Sequence, residues 1–482
     1  MPINKMRKNH LKIKKTLVGT LLLLVTTFLW YRLGESHLNS WDEARYAIHA
    51  IEAANHGNWL FPHLFGSPDT TMYDKPPLGV WLIASSIKLF GINEFAVRFW
   101  SVVAATGTVM VVFLFGSSIS SVATGALGSL VLLTTHGYLG FHATRSGDFD
   151  VIFTFFTTLA TCFFYSGYSD SKKNHYFFWY FILMACAFML KSILVVPFIL
   201  MAFTFSFCQN SARKCFLNKW SAWGLLAGLA LIGIWFTLCL FYVDGFAQGV
   251  FSRFTGRVTD SIDSHGGPWY FYFPVLLRQF GKPWAFFLAF SIIYSTRRLW
   301  RREAIMLFVT LWVFVPLVLL CIAQTKLSWY TIPIMPGIAL FLALNITNAY
   351  YYNSNQYLKA AILIIFSAAL IKSASSAGEL VMKTNEFEQI HAVQTLAPKL
   401  SNVSDVYIDF STLPRHLRYS LPFYVYAHTN GRVYRLDDDN RMLITGEDVV
   451  LILDGETTMQ LPMNKELEEL ANVEGVQLLK LK

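Results

Sequence analysis

The chain has 482 residues, 54% of them hydrophobic, 16% aromatic and only 14% charged, with a formal net charge of +9. Soluble domains carry about 25% charged residues, and this much apolar surface exceeds what one or two soluble cores bury, so a polytopic membrane protein is the natural class. The basic balance would suit a nucleic-acid binder, but the charges follow membrane topology instead, and no nucleic-acid partner is expected.

The N-terminal stretch MPINKMRKNHLKIKK is basic and precedes TLVGTLLLLVTTFLWYRL. A cleaved signal peptide would end in small residues. This run ends in Trp30, Tyr31 and Arg32, an interfacial belt, and predicts an uncleaved first span over about 16–33.

SWDEARYAIHAIEAANHG (40–57) follows. Ser40 with Glu43 three residues on reads as a capping box. Ala44, Ala47, Ile48 and Ile51 form one apolar stripe, and Asp42, Arg45, His49 and Glu52 lie on another face. Such a helix is too short and too polar to span, and is expected to lie on the membrane surface. Capping or support accounts for Glu43. It does not account for Asp42, which is the candidate functional acid.

MYDKPPLG (72–79) sets Asp74 and Lys75 before two prolines, which fix an extended entry to the next helix. The lysine is either an interfacial side chain or one held toward a phosphate. The stretch 77–91 is short and contains Lys88, and reads as a re-entrant or interfacial helix.

A spanning helix needs roughly 17–25 apolar residues. Further candidates lie at about 96–117, 121–141, 150–168, 176–190, 192–208, 220–243, 269–293, 304–323, 330–349 and 357–375, which makes about eleven spans. With the N-terminus in the cytoplasm, the basic loops 168–175, 209–219 and 294–303 all fall inside, as the positive-inside rule expects. Counting 77–91 as a span would put them outside.

The same topology collects the unexplained charges on the outer face, in segments 34–95, 142–150, 244–268 and 324–330 and at the 189–197 join. HATRSGDFD (142–150) turns at Gly147, and its Arg145, Asp148 and Asp150 either neutralise one another or supply a second carboxylate beside Asp42. Asp150 opens a helix, where an acid also suits the dipole. Lys191 interrupts about thirty apolar residues and is either a turn marker or a functional cation. The 244–272 loop carries Arg253, Arg257 and His265 in a polar, glycine-containing setting typical of binding loops. TKLSWY (325–330) puts Lys326 and Tyr330 at another helix entry. Charges near membrane depth are costly unless paired or in use. A shared outer cavity mixing acids and cations would take a ligand with phosphate on a polar body.

From Ser373 onward the chain is polar. DVYIDF, LPFYVYAH, RVYRL and DVVLILDG read as strands and NKELEELANV as a short helix. Residues 376–482 are therefore expected to form a small α/β domain on the outer, extracytoplasmic side. The six cysteines make no CxxC pair, and no disulfide framework is expected.

DEARYA, YDKPPLG, RSGDFD, KSILVVP and KLSWYTIPIMPGIAL, in that order, resemble the bacterial aminoarabinose-transferase and protein O-mannosyltransferase superfamily. These are GT-C membrane glycosyltransferases, and the resemblance covers roughly residues 15–350. It implies a mainly helical membrane enzyme in the bacterial inner membrane. Such an enzyme takes a sugar from a polyprenyl-phosphate carrier with inversion. It passes the sugar to an acceptor at the outer face, either lipid A or a serine or threonine hydroxyl. The resemblance maps the site acids onto Asp42 and Asp150, and the carrier-phosphate lysine onto Lys75, with Asp74 beside it. Arg257 and Tyr330 map near the carrier. Arg45, Arg145, Lys191, Lys326 and His265 complete the expected set of phosphate and sugar ligands. Asp42 would be the general base toward a hydroxyl acceptor, and would orient an acceptor that is already anionic. A divalent metal is left open. The family usually has glutamate where Asp74 stands, and often proline where Ser328 stands. A secondary transporter is the rival of another class, and would put its ionisable residues near the bilayer midplane.

Overall fold

The computed structural model describes residues 2–57, 59–60, 75–140, 142–243, 245–248, 265–401, 403, 405–410, 413–429, 431–436, 449–453 and 467–481. Among these are eight helices long and apolar enough to cross a membrane: Lys12–Trp30, Glu94–Ile119, Asp150–Ser169, Tyr176–Cys208, Lys219–Tyr242, Ala304–Ile322, Ser328–Tyr351 and Gln356–Met382. Leu78–Phe90, at 13 residues and so about 20 Å, falls short of a span, as expected.

The 33-residue run Tyr176–Cys208 folds back on itself. Ser192, at φ 48° and ψ −119°, breaks it directly after Lys191, and Pro197 restarts the second leg. Phe164 stands against Phe177 at the start of one leg (ring centroids 5.7 Å apart) and against Phe205 near the end of the other (6.1 Å), so the legs are antiparallel. The two expected runs, 176–190 and 192–208, are the two legs, with Lys191 at their bend.

Two expected spans differ. The 121–141 run is broken in two, Val122–Leu133 and the one-turn helix His136–Leu139, because the Thr134 and Thr135 hydroxyls bond back to the carbonyls of Leu130 (2.8 Å) and Val131 (2.7 Å) and the backbone turns between them. Tyr272–Trp300 is kinked at Gly281 (φ 73°), with Pro283 two residues on, and is not among the helices apolar enough to cross.

The basic loops meet at one end of the bundle. The Ser211 hydroxyl donates to the Tyr168 hydroxyl (3.5 Å), and the Gln209 amide donates to the Arg302 carbonyl (3.5 Å). Asp150 opens, at the far end, the same helix that Tyr168 and Ser169 close.

The Asp42–His56 helix is not a surface helix. Ten of its residues are buried, Glu43, His49 and Glu52 among them. It is covered by Leu78–Phe90 on one side and by the Ser420–His428 helix of the C-terminal domain on the other. Its polar face is an interface: the Tyr426 hydroxyl donates to Glu52 Oε1 at 2.5 Å. Ser40 is not its N-cap. The helix starts at Asp42 after Trp41, and Ser40 Oγ instead accepts from the Tyr419 backbone N–H (3.3 Å).

The last apolar helix runs on to Met382, past the expected boundary at 375, because the small residues of SASSAG do not end a helix. The domain beyond it has strands β1 (Val406–Asp409), β2 (Val433–Leu436), β3 (Val449–Leu453), β4 (Leu467–Val473) and β5 (Val476–Leu481). Their order is β2-β1-β3-β5-β4. The first three strands are parallel, and β5 is antiparallel to both its neighbours. Two elements reverse the expectation. LPFYVYAH is helical, because burial from Ser420 to Tyr426 on every side outweighs strand propensity. LEELANV is a strand, because Glu474 and Gly475, both at positive φ, make a two-residue hairpin turn that pairs Val473 with Val476.

Candidate active site

Four segments bring charge together at the end of the bundle opposite the basic loops. Lys75 Nζ lies 3.5 Å from Asp42 Oδ2 and 4.4 Å above the Tyr46 ring, a cation–π contact. Tyr46 stacks on Phe149 (4.1 Å), and Gly79 lets the Pro-Pro entry pass that ring: a Cβ there would come within 2.5 Å of it. Lys191 Nζ lies 2.6 Å from Asp150 Oδ2, and both side chains are less than 5% exposed. Tyr330 and Asp150 line one small cavity with Phe153, Leu194 and Pro333. His142 Nδ1 lies 2.9 Å from Asp148 Oδ2, its ring stacks on Trp329 at 3.9 Å, and the Ser146 hydroxyl donates to the same Asp148 oxygen.

Glu43 joins the acid-bearing segments from behind. Its Oε1 accepts from Arg98 Nε (2.7 Å) and from the Gly147 N–H (2.9 Å), and its Oε2 accepts from the Asn39 N–H (2.8 Å). Arg98 also donates to the carbonyls of Leu33, Ser36 and His37. Gly147 is needed for closeness, since a Cβ there would meet Val97 Cγ1 at 2.5 Å. The backbone is strained around the cluster. Of six described non-glycine residues at positive φ, Trp41 precedes Asp42, Ser192 follows Lys191, and His142 is a member. Such strain persists where the surroundings over-determine it, and it gathers at working sites.

Burial alone would raise the Asp42 carboxyl, but Lys75, His142, Lys191 and Arg45 together hold it down to about 2. For His142, burial works downward, and Asp148, Asp150 and Asp42 outweigh it and raise the imidazole above its ordinary range.

Residues 74–236 match the family model described as dolichyl-phosphate-mannose-protein mannosyltransferase. A Pseudomonas aeruginosa (strain UCBPP-PA14) protein named undecaprenyl phosphate-alpha-4-amino-4-deoxy-L-arabinose arabinosyl transferase is 28% identical over 367 residues, 72% of this chain and 64% of the relative. A Shewanella sediminis protein of the same name is 27% identical over 327 residues, 66% of this chain and 57% of its own. The chain thus spans less than two thirds of the length of the curated relatives it matches. The crystal structure of ArnT from Cupriavidus metallidurans bound to undecaprenyl phosphate superposes with a TM-score of 0.71 over 95% of this chain and 97% of that one, at 14% identity. The Archaeoglobus fulgidus oligosaccharyltransferase gives 0.60 over 87% and 64%, at 12% identity.

The chain is thus similar to the mannosyltransferase family over residues 74–236 and to the aminoarabinose transferases over about 70% of its length, and it shares their fold.

With eight helices long and apolar enough to cross, it is a multi-pass membrane protein, and its motif residues sort into two groups. Asp42, Lys75, Asp150, Lys191 and Tyr330 converge, and Arg45 stands close enough to act on Asp42. Arg145 does not join them. Its guanidinium donates to the carbonyls of Leu29 (3.0 Å), Tyr31 (2.8 Å) and Arg32 (3.2 Å), the open end of a short helical turn. Lys326 likewise caps a helix end, donating to the carbonyls of Leu320 (2.9 Å), Cys321 (2.6 Å) and Ala323. In both cases free carbonyls at a helix terminus satisfy a cation that the sequence reading assigned to substrate. The His265 side chain is exposed, and among the described residues its carbonyl accepts from the Lys326 N–H (2.7 Å). Asp74, Arg253 and Arg257 lie outside the described residues.

Sequence reasoning missed His142, Trp329 and Arg98. The one available signal was a histidine six residues before Asp148 in a short outer turn. Asp42, His142 and Asp148 each present a ligand atom, all within 4.8 Å of one another. Two carboxylates and an imidazole suit a borderline divalent ion such as zinc or manganese, so the residues fit a metal. Bound there, the ion would supply positive charge toward a phosphate.

Proposed function

We propose that this protein transfers a sugar from a polyprenyl-phosphate carrier to lipid A or a related envelope glycolipid at the periplasmic face of the bacterial inner membrane. The observation that carries the reading is the pair of acid–lysine couples, Asp42–Lys75 and Asp150–Lys191. They sit at the end of the apolar bundle away from the basic loops. By the positive-inside rule that end is the outer one, with the N-terminus cytoplasmic and the C-terminal domain periplasmic. The names of the relatives point the same way.

In this reaction the bond from the anomeric carbon to the carrier phosphate breaks, and its electron pair stays on the phosphate oxygen. Lys75 and Arg45, with Lys191 behind, offset the charge that develops there. The acceptor oxygen bonds to the anomeric carbon from the opposite face, which inverts it. Asp42 and Asp150 orient sugar and acceptor around an oxocarbenium-like carbon. A hydroxyl acceptor would have to give up a proton, whereas an acceptor phosphate need not. A carboxylate held at about 2 is a weak proton acceptor at neutral pH, which favours the phosphate of a lipid over a serine or threonine hydroxyl.

The test is transfer in proteoliposomes from a polyprenyl-phosphate aminosugar to lipid A and, separately, to a Ser/Thr-containing peptide. Asp42→Asn and Lys75→Ala are each expected to lose at least about 100-fold in rate. Wild-type rates in both variants refute the site, and transfer to the peptide alone replaces the lipid acceptor with a protein one.

A further inference from the structure

The C-terminal domain carries no catalytic motif, yet its contacts converge on the short segment that launches Asp42. The Tyr424 hydroxyl accepts from the Leu38 N–H (3.0 Å) and donates to Glu94 Oε1 (2.8 Å). The Asn385 N–H donates to Ser36 Oγ (2.9 Å), and the His37 N–H donates to the Asn385 carbonyl (2.9 Å). His37 Nδ1 accepts from the Phe387 N–H (3.0 Å). Ser40 Oγ accepts from the Tyr419 N–H, and the Trp41 ring rests against the Tyr419 ring (5.7 Å). On the membrane side, Arg98 takes the carbonyls of Leu33, Ser36 and His37, and its Glu43 partner takes the Asn39 N–H. Residues 36–41 are thus gripped from two bodies, and the grip ends one residue before Asp42.

That residue is Trp41, at φ 77° and ψ −123°. A residue with a Cβ adopts this conformation only where its surroundings impose it. Much of what surrounds Trp41 and its neighbours belongs to the C-terminal domain.

We propose that the C-terminal domain positions Asp42, with Tyr424 as the positioning residue through which it acts. The inference rests on the glycosyl-transfer reading for its activity readout, but not for its structural one. Misplacing a site carboxylate by about 1 Å can cost on the order of 100-fold in rate, so losing one of several clamps should cost less.

The experiment uses the full chain in nanodiscs with three readouts: amide hydrogen exchange over residues 36–45, apparent Tm, and kcat and KM for transfer from the polyprenyl-phosphate sugar to lipid A. Tyr424→Phe removes one oxygen and keeps the ring that packs on His37 (5.4 Å). It is expected to speed exchange at 36–45 and to lower kcat about tenfold, with KM for the carrier within about twofold. In an Asp42→Asn background it should lower the residual rate no further, because it acts through that carboxylate. Tyr434→Phe, on β2 and away from the segment, should match the wild type. If Tyr424→Phe does not accumulate, Ser40→Ala tests the same grip. Unchanged exchange at 36–45 overturns the proposal. So does wild-type kcat despite faster exchange, or an equal loss in the Asp42→Asn background. A wild-type protein that transfers no sugar, together with faster exchange in Tyr424→Phe, overturns the transfer reading and leaves the clamp standing.

Discussion

The two lysines of the cluster are in different physical situations, and substitution should separate them. Lys191 and Asp150 are 2.6 Å apart, with side chains 4% and 2% exposed. Removing one partner of such a pair leaves a buried charge uncompensated, which typically costs about 3–5 kcal/mol. Lys75 and Asp42 are 3.5 Å apart, with the Asp42 side chain 26% exposed, and a pair that water reaches contributes about 1 kcal/mol or less. Lys191→Met should therefore lower the apparent Tm strongly, and Lys75→Met only slightly, while both abolish transfer. The double substitution Asp150→Leu with Lys191→Met removes both charges and should regain most of the lost stability, yet stay inactive, since hydrophobic replacement of a buried pair is often neutral or stabilising. Thermal melts of the purified variants in one detergent, read beside transfer rates, make the comparison. A Lys191→Met protein that melts with the wild type, or a double variant no more stable than the single one, refutes the reasoning.

Glu43→Gln keeps the shape of the hub but weakens its hold on Arg98, and should cost about 2–4 kcal/mol in the same melts, where a surface glutamate would cost almost nothing. Ser192→Gly relieves a backbone strain of about 1–3 kcal/mol at φ 48° and should raise the apparent Tm; a fall would show that the Ser192 side chain matters more than the strain. The His142 pKa is raised in the folded protein, so the stability it lends is full below its unfolded value of about 6.5 and is lost as pH climbs through the folded value. In chelator-treated protein the Tm advantage of wild type over His142→Gln should therefore shrink from pH 6 toward pH 9 (~3 units); a constant gap would refute the charge coupling. Manganese or zinc should raise the wild-type Tm by mass action and leave Asp148→Asn unmoved, and equal shifts in both would exclude the Asp42–His142–Asp148 set as the site.

What was legible in the sequence was what one-dimensional order controls. Apolar runs fix where helices form, and basic loops fix which ends meet, so the common end of 168–175, 209–219 and 294–303 followed from charge alone. The helical hairpin at Lys191 followed from a lysine inside an apolar run. Side-chain destiny was not legible. Arg45, Arg98 and Arg145 are chemically identical, and three-dimensional neighbours decide that Arg98 binds Glu43 while Arg145 caps carbonyls. The amphipathic pattern of 42–56 is real, but a polar face reads alike whether water or another domain covers it, and here Tyr426 does. The swap of helix and strand at 420–428 and 467–473 has the same origin: all-round burial in one case, a two-residue turn in the other.

The strained positions and the clamp bear on one question, which is how a carboxylate stays usable beside several cations. Asp42 is drawn toward Lys75, His142, Lys191 and Arg45 at once. Left to electrostatics alone, it would close onto the shortest available ion pair, as Asp150 does on Lys191 at 2.6 Å. Its distance from Lys75 is instead 3.5 Å, and part of its surface stays open. A rigid backbone can impose that gap, since Trp41 fixes the direction of the chain while Glu43, the next residue on, is locked to Arg98 and Gly147. Asp42 is thus held between two immobilised neighbours. If that is the device, relaxing it should tighten the Asp42–Lys75 pair rather than loosen it. Trp41→Gly should then raise thermal stability while lowering kcat, the opposite of what loss of a simple packing contact would do. A Trp41→Gly protein that gains stability and keeps full activity would show that the gap is not set by the backbone.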